Sequence, residues 1–300
     1  MHIKVYNPAD KKLITKVDKD EEKQIISKIK ECHNGFYEWK NKDAHRRSLL
    51  LQRWSEKIKE NRDEIARILT KENGKPLHEA LAEVDYAASY VDWYSEEAKR
   101  IYGRTIPANT NSKRIIVKRE PVGLVAAITP WNFPAAMMTR KAAPALATGC
   151  TIIIKPANET PLTAIKIIEL AYESGIPKNA IKYVISSGNI VGDLFTSSKL
   201  IRKITFTGST PVGKLLIKNS ADTVKHVTME LGGHAPLIVT QDADIDFAVE
   251  HTIISKFRNS GQTCVCANRI LVHKDIFDTF SKRCRRACCL KTAPQIEPGQ

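Results

Sequence analysis

With 300 residues, 42% of them hydrophobic, the chain can bury a large core and is neither disordered nor fibrous. Its 47 Lys and Arg against 33 Asp and Glu give a formal charge of +14, but the lysines are spread along the chain without interleaved aromatics, so a solvated surface is expected and no nucleic-acid partner. The start, MHIKVYNPADKK, lacks the apolar stretch of a signal peptide, every apolar run stops short of a membrane span, and seven scattered cysteines fit a reducing compartment. The expectation is a cytoplasmic protein with no membrane contact.

Up to about residue 100 the pattern is helical: EEKQIISKIKECHNGFYEWK and RRSLLLQRWSEKIKENRDEIARILTKENGK repeat apolar residues at spacings of three and four, the second ending at Gly74. NTNSKRIIVKREPVGLVAAITP, with its Pro-Val-Gly break, predicts a hairpin leading into a buried strand. From Val122 to Gly233 the runs GLVAAIT, TIIIKP, IKYVIS, KITFTG and KHVTMELGG alternate with helical stretches, which predicts right-handed βαβ units. The fold class expected is α/β, a Rossmann-type parallel sheet with helices on both faces, binding ligands at the carboxyl ends of its strands. DFAVEHTIISKFRNS reads as a further helix, as does FDTFSKRCRRACCLK, where Phe277, Phe280, Cys284 and Cys288 fall at core spacing.

Several strand ends carry chemistry. FTGSTPVGK opens a helix, so Gly208 would let the chain turn sharply while the helix start offers N–H groups to a phosphate. It is not GxGxxG, Leu215 stands where a P-loop needs Ser or Thr, and an ordinary turn capped by Ser209 is an equal alternative. In TPWNFP, Pro130 and Pro134 restrict the backbone around Trp131 and Asn132; a fixed amide suits an oxyanion donor, the alternative being a polar turn with a buried tryptophan. TIIIKPAN ends in Lys155, either a ligand for ribose or phosphate or a snorkelling edge lysine. VTMELGG ends in Glu230, where Met229 and Leu231 predict partial desolvation and a raised pKa suited to a general base; the alternative is a carboxylate capping nearby backbone. FRNSGQTCVCAN holds Cys264 and Cys266 at a spacing poor for zinc; Gly261 and Gln262 predict an open loop whose N–H groups favour a thiolate, against the reading of a small buried hydrophobe.

Together TPWNFP, KPANETP, FTGSTPVG, MELGG and FRNSGQTC, in this order and at these intervals, resemble the aldehyde dehydrogenase superfamily, most closely its succinate-semialdehyde dehydrogenases. The resemblance implies Cys264 as nucleophile, Glu230 as general base and Asn132 as oxyanion donor. It implies an NAD(P) site lined by Trp131, Asn132, Lys155, Pro156, Ala157, Asn158, Gly208, Ser209 and Leu231, with Arg140 and Arg258 holding the distal carboxylate of succinate semialdehyde. NADP is expected to be preferred over NAD, because NAD-preferring relatives often carry a glutamate where Asn158 stands. The reaction implied is oxidation of an aldehyde to a carboxylic acid through a Cys264 thiohemiacetal and thioester.

The domains so implied are residues 1–106 and 122–232 for dinucleotide binding, 107–121 as a bridging, oligomerisation hairpin, and 233–300 as the beginning of a catalytic domain. A homo-oligomer is expected of the full-length family. The sequence stops at IEPGQ, whereas relatives continue through a ribose-holding Glu-x-Phe-Gly-Pro motif and a terminal strand. The 300-residue chain is therefore expected to be nearly inactive, doubtful as an oligomer, and to leave APLIVT and RILVH exposed. The rivals are a fragment that at most binds dinucleotide, and an amidase using Cys264, Glu230 and Lys155 without a cofactor.

Overall fold

The computed structural model describes residues 2–291, and it opens with a hairpin where the sequence pattern is helical: β1 (His2–Tyr6) pairs antiparallel with β2 (Leu13–Asp18). Only Val5 of these strands is buried, so neither carries the apolar alternation that announces a strand. Four helices follow: α1 (Glu22–Lys40), α2 (Ala44–Glu60), α3 (Arg62–Asn73) and α4 (Leu77–Glu97). The single helical pattern read over 46–75 is two helices divided at Asn61, whose backbone N–H and side-chain Nδ2 both donate to the Lys57 carbonyl and close α2. Gly74 ends α3 in the left-handed region (φ 86°), where a Cβ would come within 2.7 Å of Pro8 Cγ.

The hairpin β3 (Arg104–Ile106) and β4 (Ile115–Val117) is exposed along both strands. Then come the expected alternating elements: β5 (Leu124–Ile128), α5 (Pro134–Ala147), β6 (Thr151–Lys155), α6 (Pro161–Glu173), β7 (Ile181–Tyr183), α7 (Gly188–Ser197), β8 (Ile201–Gly208), α8 (Thr210–Ser220) and β9 (His226–Leu231). They build a five-stranded sheet of order β7-β6-β5-β8-β9, with β6 parallel to β7 and β5 parallel to both β6 and β8.

Alternate residues of the strands feed two cores. Val125, Ala127, Ile152 and Ile154 face a cluster built from α2 to α6, while Leu124, Ala126, Ile153 and Ile204 face Ile25 and Ile29 of α1 and Val191 and Phe195 of α7. Because both faces are covered, β5 and β6 read as unbroken apolar runs.

The chain divides into two compact units, Met1–Glu230 and Leu231–Gln300. In the second, β10 (Ala235–Val239) and β11 (Ala267–Val272) pair in parallel across the crossover helix α9 (Ile245–Phe257), and α10 (Phe277–Lys291) packs on α9. Val239, Val249, Ile253 and Phe280 form its small core with Cys284 and Cys288 partly buried against it. Phe277, expected in that core, is exposed, and Ile276 just before it packs against the core instead. The side chain of Cys289 and the terminal IEPGQ lie outside the described residues. Ile238 and Leu271 are 68% and 52% exposed, while Val239 is buried and Leu237 and Val272 pack against the small core. Among the described residues no helix is long and apolar enough to cross a membrane.

Candidate active site

In the first unit the strand order reverses between β5 and β8, and the carboxyl ends of the strands at such a reversal are the place where doubly wound sheets receive ligands. The motif residues lie at these carboxyl ends: Thr129 to Phe133 follow β5, Lys155 ends the neighbouring β6, and Gly208 and Ser209 join β8 to α8, whereas the cavity beside Lys141 is lined by none of Trp131, Asn132, Lys155, Gly208 and Ser209. Trp131 is 42% exposed, so it does not fill a core as the polar-turn alternative required. Asn132 is half-buried.

Lys155 lies on an interior strand and is 6% exposed, which removes the snorkelling edge reading. Its Nζ donates to the Pro156 carbonyl at 3.0 Å and to Asn158 Oδ1 at 3.3 Å, and burial lowers its pKa against the opposing pull of Glu159. An ammonium has three N–H donors, so one remains for a ligand. Pro156 and Ala157 are buried and Asn158 is half-buried.

Gly208 is not in the left-handed region; the absence of a side chain is needed instead because a Cβ would meet the Phe206 ring at 2.5 Å. Ser209 occupies the N-cap of α8, yet its side chain makes no capping bond and is exposed. The first N–H groups of α8 therefore lack the local cap that the ordinary-turn reading supposed, and a helix start in that condition suits a phosphate.

Glu230, near the end of β9, is exposed rather than partly desolvated, because Met229 and Leu231 are themselves only half-buried. It does act electrostatically on a residue that sequence reasoning passed over. Lys141, 7% exposed on α5, donates to Thr205 Oγ1 at 3.0 Å; burial pushes its pKa down to about 8, with Glu230 opposing the shift. Both line a cavity of about 690 Å³ together with Arg140, Arg119, Arg47 and Thr205. In MMTRKAAP nothing distinguishes Lys141 from a surface lysine.

Arg140 donates through Nη2 to the hydroxyls of Tyr86, at 2.8 Å, and Tyr90, and its guanidinium lies 4.9 Å from the Tyr90 ring centroid. Burial works against its charge, but Tyr90 and Tyr86 keep its pKa above the ordinary value. Two phenols thus hold it, one turn apart on α4.

Further partners from outside the motif fix the turn after β5. Asn73 Nδ2 and Thr160 Oγ1 donate to the Trp131 carbonyl at 2.9 and 3.3 Å, and Lys75 Nζ donates to the Asn132 carbonyl at 2.8 Å. Asn73 and Lys75 belong to ENGK at the end of α3, read from sequence only as a helix stop.

In the second unit, Cys264 is exposed on the loop before β11, whereas Cys266 is 3% exposed, with Sγ 3.5 Å from the Gly261 carbonyl and 3.6 Å from Asn268 Oδ1. The loop before them is unusual: Asn259, Ser260 and Gly261 all take positive φ (53°, 55° and 75°). The Gln262 N–H, expected to be open to a thiolate, is committed to the Asn259 carbonyl at 3.0 Å. Arg258 opens this loop and is exposed. Among the described residues no group of three or more His, Cys, Asp or Glu side chains could hold a metal ion.

The chain is similar to the glutarate-semialdehyde dehydrogenase of Pseudomonas putida, 49% identical over 99% of the chain and 62% of the relative. It is similar as well to the NADP-dependent succinate-semialdehyde dehydrogenase of Escherichia coli, 47% identical over 95% of the chain and 59% of the relative. A crystal structure of aldehyde dehydrogenase from Brucella melitensis biovar abortus superposes with a TM-score of 0.96 at 49% identity, covering all of the chain and 62% of that structure. The chain thus spans about three fifths of the length of these relatives. Residues 1–296 match the aldehyde dehydrogenase family over the ends of β5 and β8, the Lys155 strand end and the Cys264 loop alike, and the chain belongs to that family.

Proposed function

We propose that the protein oxidises an aldehyde to a carboxylic acid with NADP in preference to NAD, and that its substrate is succinate semialdehyde. The observation that carries this reading is that Trp131 and Asn132 follow β5 while Gly208 and Ser209 follow β8, the adjacent parallel strands between which the strand order reverses. The residues there fit a dinucleotide: Lys155 has an N–H to spare for a ribose or phosphate oxygen, and the start of α8 awaits an anion. Asn158 presents no negative charge to a 2′-phosphate. The relatives named for semialdehydes, one of them NADP-dependent, support the same reading.

In this scheme the Cys264 thiolate attacks the aldehyde carbonyl, and the Asn132 amide and the Cys264 N–H stabilise the oxyanion that develops. The bound nicotinamide supplies the hydride acceptor. Glu230 deprotonates the water that hydrolyses the thioester; its exposed carboxylate is accessible to that water. Arg140 and Arg258 take the distal carboxylate as planar donors. We assign cofactor binding to residues 1–106 and 122–232, the nucleophile to 233–300, and subunit bridging in a homo-oligomer to the exposed hairpin around 107–121.

The test is NADPH formation from succinate semialdehyde, followed by absorbance, in wild type and Asn132→Ala, each extended by about the carboxyl-terminal two fifths of a relative, since the 300-residue chain alone is expected to be nearly inactive. Loss of one oxyanion donor should lower turnover by about 10² to 10³. Equal turnover in both would remove Asn132 from the mechanism, and no NADPH from any aldehyde would overturn the reading.

A further inference from the structure

We propose that Lys75 and Glu83 form a positioning pair that fixes the Trp131–Asn132 turn and so aims the Asn132 amide; the role of Asn132 in this inference rests on the function proposed above. The starting point is a shortage of caps. Helix α5 begins with Pro134, which has no N–H, and its N-cap residue is Phe133, which has no side-chain acceptor. The next donors, the N–H groups of Ala135 and Ala136, are taken by Glu83 Oε1 at 2.9 and 3.3 Å, from a different helix. Helix α6 repeats the device: Pro161 starts it, and Leu162 and Thr163 donate to Glu72 at 2.8 and 2.9 Å, while the Thr160 hydroxyl turns to the Trp131 carbonyl instead.

Between these remote caps, Lys75 joins the two sides of the turn. Its ammonium pairs with Glu83, donates to the Asn132 carbonyl at 2.8 Å and lies 4.4 Å from the Phe133 ring centroid. The side chains of Lys75 and Glu83 are each 1% exposed. A buried ion pair is a poor device for stability alone, since apolar residues of similar size often do as well or better. What charges provide and apolar residues do not is direction. The Trp131 carbonyl belongs to the peptide plane before the Asn132 Cα and is held by Asn73 and Thr160; the Asn132 carbonyl belongs to the plane after it and is held by Lys75. A residue has only two soft backbone torsions, so holding both flanking planes restrains φ and ψ at Asn132 and with them the direction of its Cα–Cβ bond, from which the amide is aimed.

The experiment compares Lys75→Met, Glu83→Gln and the double variant Lys75→Met/Glu83→Gln. Lys75→Met leaves Glu83 buried without its cation and should lower the unfolding temperature; the double variant should regain most of that loss. In the double variant, amide exchange over residues 130–137 should rise about tenfold or more, while exchange over 151–154 of β6 stays at the wild-type rate. Turnover, read in the extended chain, should fall by about 10 to 10², the cost of a misplaced catalytic group, with KM for NADP within about threefold of wild type. Added to Asn132→Ala, the same double substitution should cost no further turnover, because the pair acts through that residue. A recovered unfolding temperature with unchanged exchange over 130–137 would overturn the proposal, as would turnover losses that multiply in the Asn132→Ala background. If the extended wild type oxidises no aldehyde, the functional reading falls, and the exchange comparison alone decides whether the pair fixes the turn.

Discussion

Glu72 on α3 accepts the backbone N–H of Thr163 at 2.9 Å, across a separation of 91 residues in the chain. Burial pushes its carboxyl up to about 7 from the ordinary 4.5, although the Thr163 and Leu162 bonds favour the charged form. Between those two pH values the folded protein binds more protons at this position than the unfolded chain, so the contribution of Glu72 to stability falls as pH rises through the window. Relative to Glu72→Gln, wild type should lose about 1–3 kcal/mol of unfolding free energy between pH 4.5 and 7. Urea unfolding of both proteins at the two pH values checks this, and a difference that stays constant or grows with pH would contradict it.

The two neighbouring thiols should behave oppositely. Cys264 is exposed while Cys266 is 3% exposed, so brief treatment with iodoacetamide should label Cys264 at least about tenfold faster. Burial also drives the Cys32 thiol up to about 12, leaving it almost wholly protonated at neutral pH. Peptide mapping by mass spectrometry reads the outcome. In the chain extended to a relative's full length, Cys264→Ala should abolish aldehyde oxidation with cofactor affinity nearly intact, and Cys266→Ala should not; labelling and activity loss that followed Cys266 would reverse the assignment.

Cofactor choice should turn on one uncharged side chain. Asn158 Oδ1 accepts from Lys155, so a glutamate in its place would keep that bond and add a negative charge facing a 2′-phosphate. Asn158→Glu should shift the ratio of kcat/KM for NADP over NAD towards NAD by about tenfold or more. An unaltered ratio would count against the cofactor assignment.

The arginines should matter only for a charged substrate. Each is expected to raise KM for succinate semialdehyde by about 10 to 10² when changed to alanine, the worth of a charged hydrogen bond, and to leave an uncharged aldehyde of similar length unaffected. For Arg140 a milder probe exists: Tyr90→Phe removes one of the two hydroxyls that hold the guanidinium and should give a smaller increase of the same kind. Equal losses with both aldehydes would mark these side chains as structural.

The alternating elements between β5 and β9 were legible because buried parallel strands write themselves as apolar runs. The hairpin β1–β2 was hidden by its lysines and exposed faces, and the break at Asn61 by the lack of any Gly or Pro near it. At the candidate site, the residues at the carboxyl ends of β5, β6 and β8 lie in short motifs that stand out in the sequence. Those that hold them do not: Glu72 and Glu83 look like the charged side of amphipathic helices, and only the packing of α3 and α4 against α5 and α6 turns them into caps. Glu230 misled for the opposite reason, since apolar neighbours along a strand do not imply that the strand is covered.

The borrowed caps also bear on how the first unit assembles. Synthesis proceeds from the amino terminus, so Glu72 and Glu83 emerge before the amides they will receive, and Lys75 and Glu83, eight residues apart, can meet within their own helical hairpin. The first turns of α5 and α6 cannot be completed by their own sequence, and an incomplete first turn is the costly part of making a helix. The central strands are thereby tied to the amino-terminal helices in one cooperative transition. Severing the chain between α4 and β5 should leave two pieces that recover their structure only when mixed.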